Sequence, residues 1–328
     1  MMRNSATSNN AFTMSPEGSL NHLPVDCSGL APGDPLFGRH IKTGAQLASS
    51  LAFQQLITEL ITDRMMTIRH FLDRFVISNP IHYKVLLCFS KRLTCVVKTA
   101  IEGLNWPKKP RTSLIQLIEH WRNTNTIVLS GGLTTGSFGQ NLASMLEQEL
   151  IGSSVIHSPW AGKTALVGMA QTVKSYEDLL AIDFGATGVK RAVASHYGNR
   201  LNELKEIPTA SYTDIDGKIG KHGLIEILTQ TRRELDHSMP VAISIACYLD
   251  GGHPFKYASG IYYPLEADCD NLAEALNNQW LPACGFHGLA LLEHDSTAAG
   301  LAFDFTHPAM MITLGTGLGS GPCPQVLE

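Results

Sequence analysis

Hydrophobic positions recur at spacings of three and four through residues 43–77, at Leu47, Leu51, Leu56, Ile57, Leu60, Ile61, Met65, Ile68 and Phe71. That period sets them on one face of a helix or a helix pair. Two more helical stretches are expected over 83–104 and 113–121, with the proline-bounded loop 105–110 between them. The period then shortens. Thr126–Ser130 is a β-rich run closed by Gly131 and Gly132, followed by a helix over 138–150, a strand at Ser154–His157 and a small-residue helix over 162–173. Residues 179–183 form an apolar strand and 189–195 a second one, a hairpin across Gly185 and Gly188. Next come a helix over 219–237, a strand over 241–246, a helix over 271–284, a strand over 289–292 and a helix starting at Thr297. The last strand, 310–314, runs into a glycine loop at 315–321. Strands alternating with helices predict an α/β protein. Residues 1–35 are rich in Ser, Asn, Pro and Gly, lack a period, and read as a mobile leader. No motif is duplicated within the chain.

The chain has 328 residues, enough for about two domains. It is 44% hydrophobic and 16% charged, which supports a sizeable core and argues against disorder over most of its length. Its 25 basic and 29 acidic residues give a net charge of −4, without the basic excess of a nucleic-acid or anionic-membrane binder. The seven cysteines are odd in number, widely spaced and free of any CxxC pair, so neither a disulfide framework nor a structural zinc site is expected. No continuous apolar stretch follows Arg3 within residues 1–20, and the apolar run 85–89 is far shorter than the ~20 residues that span a bilayer. A cytoplasmic protein is the expectation.

Four segments carry candidate chemistry. At the end of the strand 179–183, Asp183 is followed by Phe-Gly-Ala-Thr-Gly. Glycines there permit positive φ and leave backbone N–H groups open to phosphate oxygens. Asp183 would hold Mg²⁺, directly or through water, while Gly185, Thr187 and Gly188 would meet a phosphate; the bland alternative is a hairpin turn with a capping Asp. Gly315, Thr316, Gly317 and Gly319 form a second candidate phosphate cradle, without the Lys-Ser/Thr of a Walker A motif. Gly131 and Gly132, between a strand and a helix, would let a planar ligand approach the backbone closely, or simply make the turn. Asp295, between a strand and a small-residue helix, is placed to accept a hydroxyl proton, or to cap that helix.

Together these segments resemble the actin/hexokinase/Hsp70 ATPase superfamily, and within it the ROK-type sugar kinases of the glucokinase and polyphosphate-glucokinase kind. Residues 180–193 resemble the first phosphate motif, 293–300 the sugar segment with its catalytic Asp, 312–320 the second phosphate motif, and 127–133 with 165–170 the adenosine segment and closing helix. The resemblance implies a two-lobed actin-like ATPase (ribonuclease H-like) fold. It also implies a kinase that uses Mg²⁺ with ATP or polyphosphate to phosphorylate a hexose such as glucose, with small molecules as partners and a homo-oligomer left open. A catalytically degenerate nucleotide-binding sensor is the alternative. The family's Cys/His zinc cluster is absent, and His294 stands where the family has Asn. The adenosine segment comes first in this chain, so the lobes run in reversed order: a leader over 1–35, a C-terminal-lobe-like region over 36–175, and an N-terminal-lobe-like region over 176–328 with both phosphate motifs. A circular permutation and a rearranged tandem fusion both account for that order.

Overall fold

The computed structural model describes residues 14–326 apart from Thr62, Arg64, 108–110, 213–217 and 257–259. The start of the expected leader, the end of the loop 105–110 and residues 327–328 therefore lie outside the described residues. The chain divides into two compact units. A continuous unit holds Ala165–Phe303 together with the described residues before Glu17, and a split unit holds Glu17–Thr164 and Asp304–Glu328. The strands of the two main sheets are β1 (Thr126–Ser130), β2 (Ser154–His157), β3 (Asp178–Phe184), β4 (Val189–Tyr197), β5 (Arg200–Ala210), β6 (Pro240–Ile245), β7 (Gly288–His294), β8 (Ala309–Leu314) and β9 (Leu318–Pro322). The helices that matter here are α1 (Pro80–Ile101), α2 (Thr112–Asn123), α3 (Gly136–Glu149), α4 (Thr164–Thr172), α5 (Lys221–Arg233) and α6 (Asp295–Gly300).

The sheet of the continuous unit runs β7-β6-β3-β4-β5. β3, β4 and β5 form an antiparallel meander, and β6 and β7 lie parallel to β3. An antiparallel three-strand meander followed by two parallel strands on the far side of its first strand is the ribonuclease H-like arrangement. One face carries Leu180, Ile182, Phe184, Val241, Ile243 and Ile245, packed in one core with Leu224, Ile227 and Leu228 of α5. The opposite face carries Ala181, Ala192, Ala194 and Ala242, all fully buried. Small side chains there let α4 and α6 come close. A Cβ on Gly168 would stand 2.0 Å from the Ala298 carbonyl oxygen, so only glycine fits that crossing.

The sheet of the split unit runs β9-β8-β1-β2, with β9 antiparallel to β8 and the other pairs parallel. Ala309 pairs with Thr126 and Thr313 with Ser130, so a strand from the end of the chain lies against one from its first half. β1 is buried along its whole length, as a strand flanked on both edges and both faces must be. Phe53, Phe71, Phe89 and Phe138 form an aromatic cluster, with the Phe53 and Phe89 rings 4.7 Å apart. Arg92 of α1 donates two bonds of 2.8 Å to the fully buried Asp34 carboxylate.

Three expectations change. Residues 14–35 are not a leader of the kind expected: Leu20, Leu23, Val25, Cys27 and Leu30 are buried, and Pro24–Asp26 pairs with Ile41–Thr43. Their apolar side chains are scattered among Ser, Pro and Gly, and so carry no period. The partition at 175/176 is not where the compact units divide, because β8 and β9 join the sheet of β1 and β2. The glycine segment after 314 is not all loop, since Leu318–Pro322 is a strand whose small residues tuck under neighbours. Among the described residues no helix is long and apolar enough to cross a membrane.

Candidate functional site

Register assembles a polar row on one face of the continuous unit's sheet. Asp183 pairs with Lys190 across the β3–β4 hairpin and with Ser244 on β6, and Ser244 pairs with Glu293 on β7. Paired residues on adjacent strands share a face, so Glu293, Ser244, Asp183 and Lys190 line up at the carboxyl ends of the parallel strands. That edge is where α/β sheets place ligands. The Asp183 carboxylate is buried, and each oxygen has a donor: the Lys190 ammonium at 2.7 Å on Oδ2 and the Ser244 hydroxyl at 2.7 Å on Oδ1. Asp183 holds the Lys190 ammonium above its ordinary range against the opposing effect of burial, and Asp295 adds to the rise. Lys190 is thus a fixed positive charge that keeps 38% of its side chain exposed beside the hairpin turn.

The turn itself is anchored from below. The Gly185 carbonyl accepts from the Tyr262 hydroxyl at 2.9 Å, and the Tyr262 and Tyr212 hydroxyls share a bond of 2.7 Å. Burial pushes both phenols well above their usual range, so they remain neutral. Thr187 is exposed at the tip. The glycines serve by size rather than by backbone sign: neither Gly185 nor Gly188 has positive φ, but a Cβ on Gly185 would lie 3.1 Å from the Gly188 carbonyl oxygen. The expected role of positive φ at this turn is corrected accordingly.

Asp295 opens α6, immediately after β7. Its Oδ1 accepts from the Ser296 backbone N–H at 2.6 Å and the Ser296 hydroxyl at 3.1 Å, and lies 3.3 Å from His294 Nε2. The His294 ring stacks on Tyr248, centroids 4.6 Å apart and planes 13° from parallel. Burial pushes His294 below its ordinary range, with Asp295 opposing.

The remaining candidates lie in the split unit. Gly131 has φ +104°, and a Cβ there would stand 2.3 Å from the Leu314 carbonyl oxygen, so β1 and β8 meet over a glycine. Gly132 has open space around it. Several N–H groups of these loops already have partners. Gly131 donates to Ala161, Gly315 to Gly317, and Leu318 to the Asn21 side chain. Thr316 and Gly317 are the exposed members, and Gly319 lies within β9. The structure thus gathers Asp183, Gly185, Thr187, Gly188 and Asp295 in one unit and Gly131, Gly132, Gly315, Thr316, Gly317 and Gly319 in the other. Lys190 and Ser244 lie inside the expected strands 189–195 and 241–246, and nothing local in the sequence marks them or Tyr262 as site residues.

Among the described residues no three His, Cys, Asp or Glu side chains form a metal-binding group. Direct coordination of Mg²⁺ by Asp183 Oδ2 would compete with Lys190 at 2.7 Å. Mg²⁺ keeps several of its waters in most sites, and a hydrated ion held by Asp183 through water is the arrangement these residues fit.

No protein-family model matches this chain, and no curated protein matches it. Solved structures of Ppx/GppA proteins from Aquifex aeolicus do. One is the type II variant of the Ppx/GppA phosphatase, at 11% identity and a TM-score of 0.28 over 47% of this chain and 51% of that one. A second, from a structural characterisation of the Ppx/GppA family, gives 11%, 0.28, 47% and 50%, and a third gives 11%, 0.27, 47% and 51%. The chain spans about half the length of each of them.

Proposed function

We propose that the continuous unit binds the phosphates of a phosphoryl donor at Lys190 and the 185–188 turn, and that the protein is a sugar kinase using ATP or polyphosphate. The observation that carries this reading is the Lys190 ammonium, fixed at 2.7 Å on a buried Asp183 beside a half-buried glycine turn with Thr187 exposed at its tip. Phosphoryl transfer depends mainly on positioning and on neutralising charge, and an oriented ammonium supplies both. A sugar hydroxyl oxygen would attack the terminal phosphorus as its proton passes to Asp295, and the donor would leave as ADP or as a polyphosphate shortened by one unit. Mg²⁺, held by Asp183 through water, would supply further charge neutralisation. A hexose such as glucose is the acceptor this reading names. Gly131 and Gly132 remain candidates for the nucleotide, and Gly315, Thr316, Gly317 and Gly319 for phosphate.

The test is a coupled phosphorylation assay on a panel of sugars, with ATP and polyphosphate run separately and free phosphate measured in parallel. Turnover that Asp295→Asn abolishes while nucleotide affinity persists is the expected result. A second reading, nucleotide binding without turnover, is favoured by one observation: Asp295, the first residue of α6 rather than its cap, has its Oδ1 already engaged by the N–H and hydroxyl of the adjacent Ser296. Nucleotide binding with no transfer to any sugar would select it.

A further inference from the structure

Two phenols stand behind the 185–188 turn, and only one arrangement of their protons fits the bonds they make. The Gly185 carbonyl has no proton to give, so the Tyr262 hydroxyl donates to it, at 2.9 Å. A phenol carries one proton. The Tyr262 oxygen therefore accepts in its bond with Tyr212, and the Tyr212 hydroxyl donates, at 2.7 Å. The chain of bonds runs one way, from Tyr212 through Tyr262 to the carbonyl, and each bond polarises the next. Burial keeps both phenols protonated.

Both rings are seated on the core rather than on the turn they serve. Tyr262 is fully buried among the apolar side chains under α5. Its backbone is tied on both sides: the Ile219 N–H donates to the Ile261 carbonyl at 2.6 Å, and the Leu265 N–H to the Tyr262 carbonyl at 3.1 Å. Tyr212 follows β5 and lies against the first turn of α5, where a Cβ on Gly223 would stand 3.6 Å from its ring. The consequence falls on the other side of the turn. Residues 185 and 186 are joined by a trans peptide, whose C=O and N–H point in opposite directions. Holding the Gly185 carbonyl onto a buried hydroxyl therefore turns the Ala186 N–H away from the core. The Lys190 ammonium lies beside the same peptide, since a Cβ on Gly185 would stand 4.0 Å from Lys190 Nζ.

We infer that Tyr262, oriented by Tyr212, is a positioning residue that aims the Ala186 N–H at a phosphate oxygen of the donor beside Lys190. The ammonium supplies charge from a flexible stem, and the backbone N–H supplies a fixed direction that the anionic oxygen must meet. Without the Tyr262 hydroxyl the 185–186 peptide is free to rotate, and the N–H loses its aim. The inference rests on the phosphate-binding part of the proposed function and is independent of the acceptor.

The test titrates the intact protein with inorganic tripolyphosphate and reads both the affinity and the Ala186 amide shift, with urea midpoints in parallel. The chains are the parent, Tyr262→Phe, Tyr212→Phe, the double variant and, as control, Tyr263→Phe, whose ring instead faces the Lys218 ammonium at 5.0 Å. Tyr262→Phe should weaken binding by about fivefold, the worth of one ordinary hydrogen bond, and shrink the phosphate-induced shift at Ala186. Tyr212→Phe leaves the bond to Gly185 in place and should cost less. The double variant should match Tyr262→Phe, because Tyr212 acts only through Tyr262. Tyr263→Phe should match the parent. A merely structural role would lower the urea midpoint and leave the affinity of the folded chain and the Ala186 shift unmoved. Should Tyr262→Phe fail to fold, Tyr212→Phe must still weaken binding and reduce that shift. Parental affinity in these variants, an equal loss in Tyr263→Phe, or a double variant that loses the product of the single losses would overturn the inference while phosphate still binds. A parent chain that does not bind tripolyphosphate would overturn the phosphate-site reading and this inference with it.

Discussion

Replacing Lys190 with methionine keeps the aliphatic stem and removes the ammonium. Asp183 would then retain the Ser244 hydroxyl at 2.7 Å but lose its other 2.7 Å donor, with only 6% of its side chain exposed. Stripping one member from a fully buried ion pair costs about 3–5 kcal/mol, mostly because the surviving charge is stranded. Lys190 keeps 38% of its side chain exposed, so water screens the pair and the expected cost falls to about 1–3 kcal/mol. Adding Asp183→Asn removes the stranded charge and should return much of that loss. Phosphate binding should not return, because the ammonium that would meet the ligand is still missing. The measurement is a cycle of four chains: parent, Lys190→Met, Asp183→Asn and the double variant. Each is followed by urea unfolding and by titration with ADP or inorganic tripolyphosphate. A parental midpoint for Lys190→Met, a double variant no more stable than Lys190→Met, or undiminished phosphate affinity in either Lys190 variant would refute the reasoning.

Gly131→Ala should destabilise by at least about 1–3 kcal/mol from its φ of +104° alone, with the 2.3 Å approach to Leu314 adding to it. Gly132→Ala, which meets open space, should change the thermal midpoint little. Arg92→Met leaves the fully buried Asp34 without its partner and should lower stability by about 3–5 kcal/mol, less when combined with Asp34→Asn, as read by urea midpoints. Burial pushes His294 and His120 below the ordinary imidazole range, against Asp295 and the Ala309 carbonyl respectively. Between the lowered folded values and the unfolded value of about 6.5 the unfolded chain therefore binds more protons, so stability should be full above about pH 6.5 and fall as the pH drops below it. Urea midpoints across that range should fall less steeply in a His294→Gln, His120→Gln chain, with burial of His82 leaving a smaller slope of the same sign.

The elements that were legible in the sequence are those whose burial follows a simple period. The β3–β4 hairpin and the buried strands β1 and β8 announce themselves as apolar runs ended by glycine or a polar turn, and β6 as an apolar run alone. β5 does not, because as an edge strand it exposes Arg200, Glu203 and Glu206 and shows no two-residue alternation. β9 hides for the opposite reason, since Gly319, Ser320 and Gly321 look like loop yet are small enough to be covered. The site divides along the same line. Asp183 stands out as a carboxylate ending an apolar run, whereas Lys190 and Ser244 acquire meaning only through register. Tyr262 reaches Gly185 from a distant segment that no local pattern connects to it.

The pairing of Ala309–Leu314 with Thr126–Ser130 also has a temporal side. On a chain made from its amino end, β1 and β2 emerge long before β8, and Ala165–Phe303 is synthesised in between. The entropy of closing so long a loop grows only slowly with length, so the final pairing is not forbidden by distance. The hazard lies in the waiting. Until β8 arrives, Ile127, Val128 and Leu129, all fully buried in the finished sheet, sit on a strand with one open edge, which is a template for foreign strands. Nascent chains halted before residue 309 should therefore be the aggregation-prone species, and release of the last strand should be the step that seals the sheet.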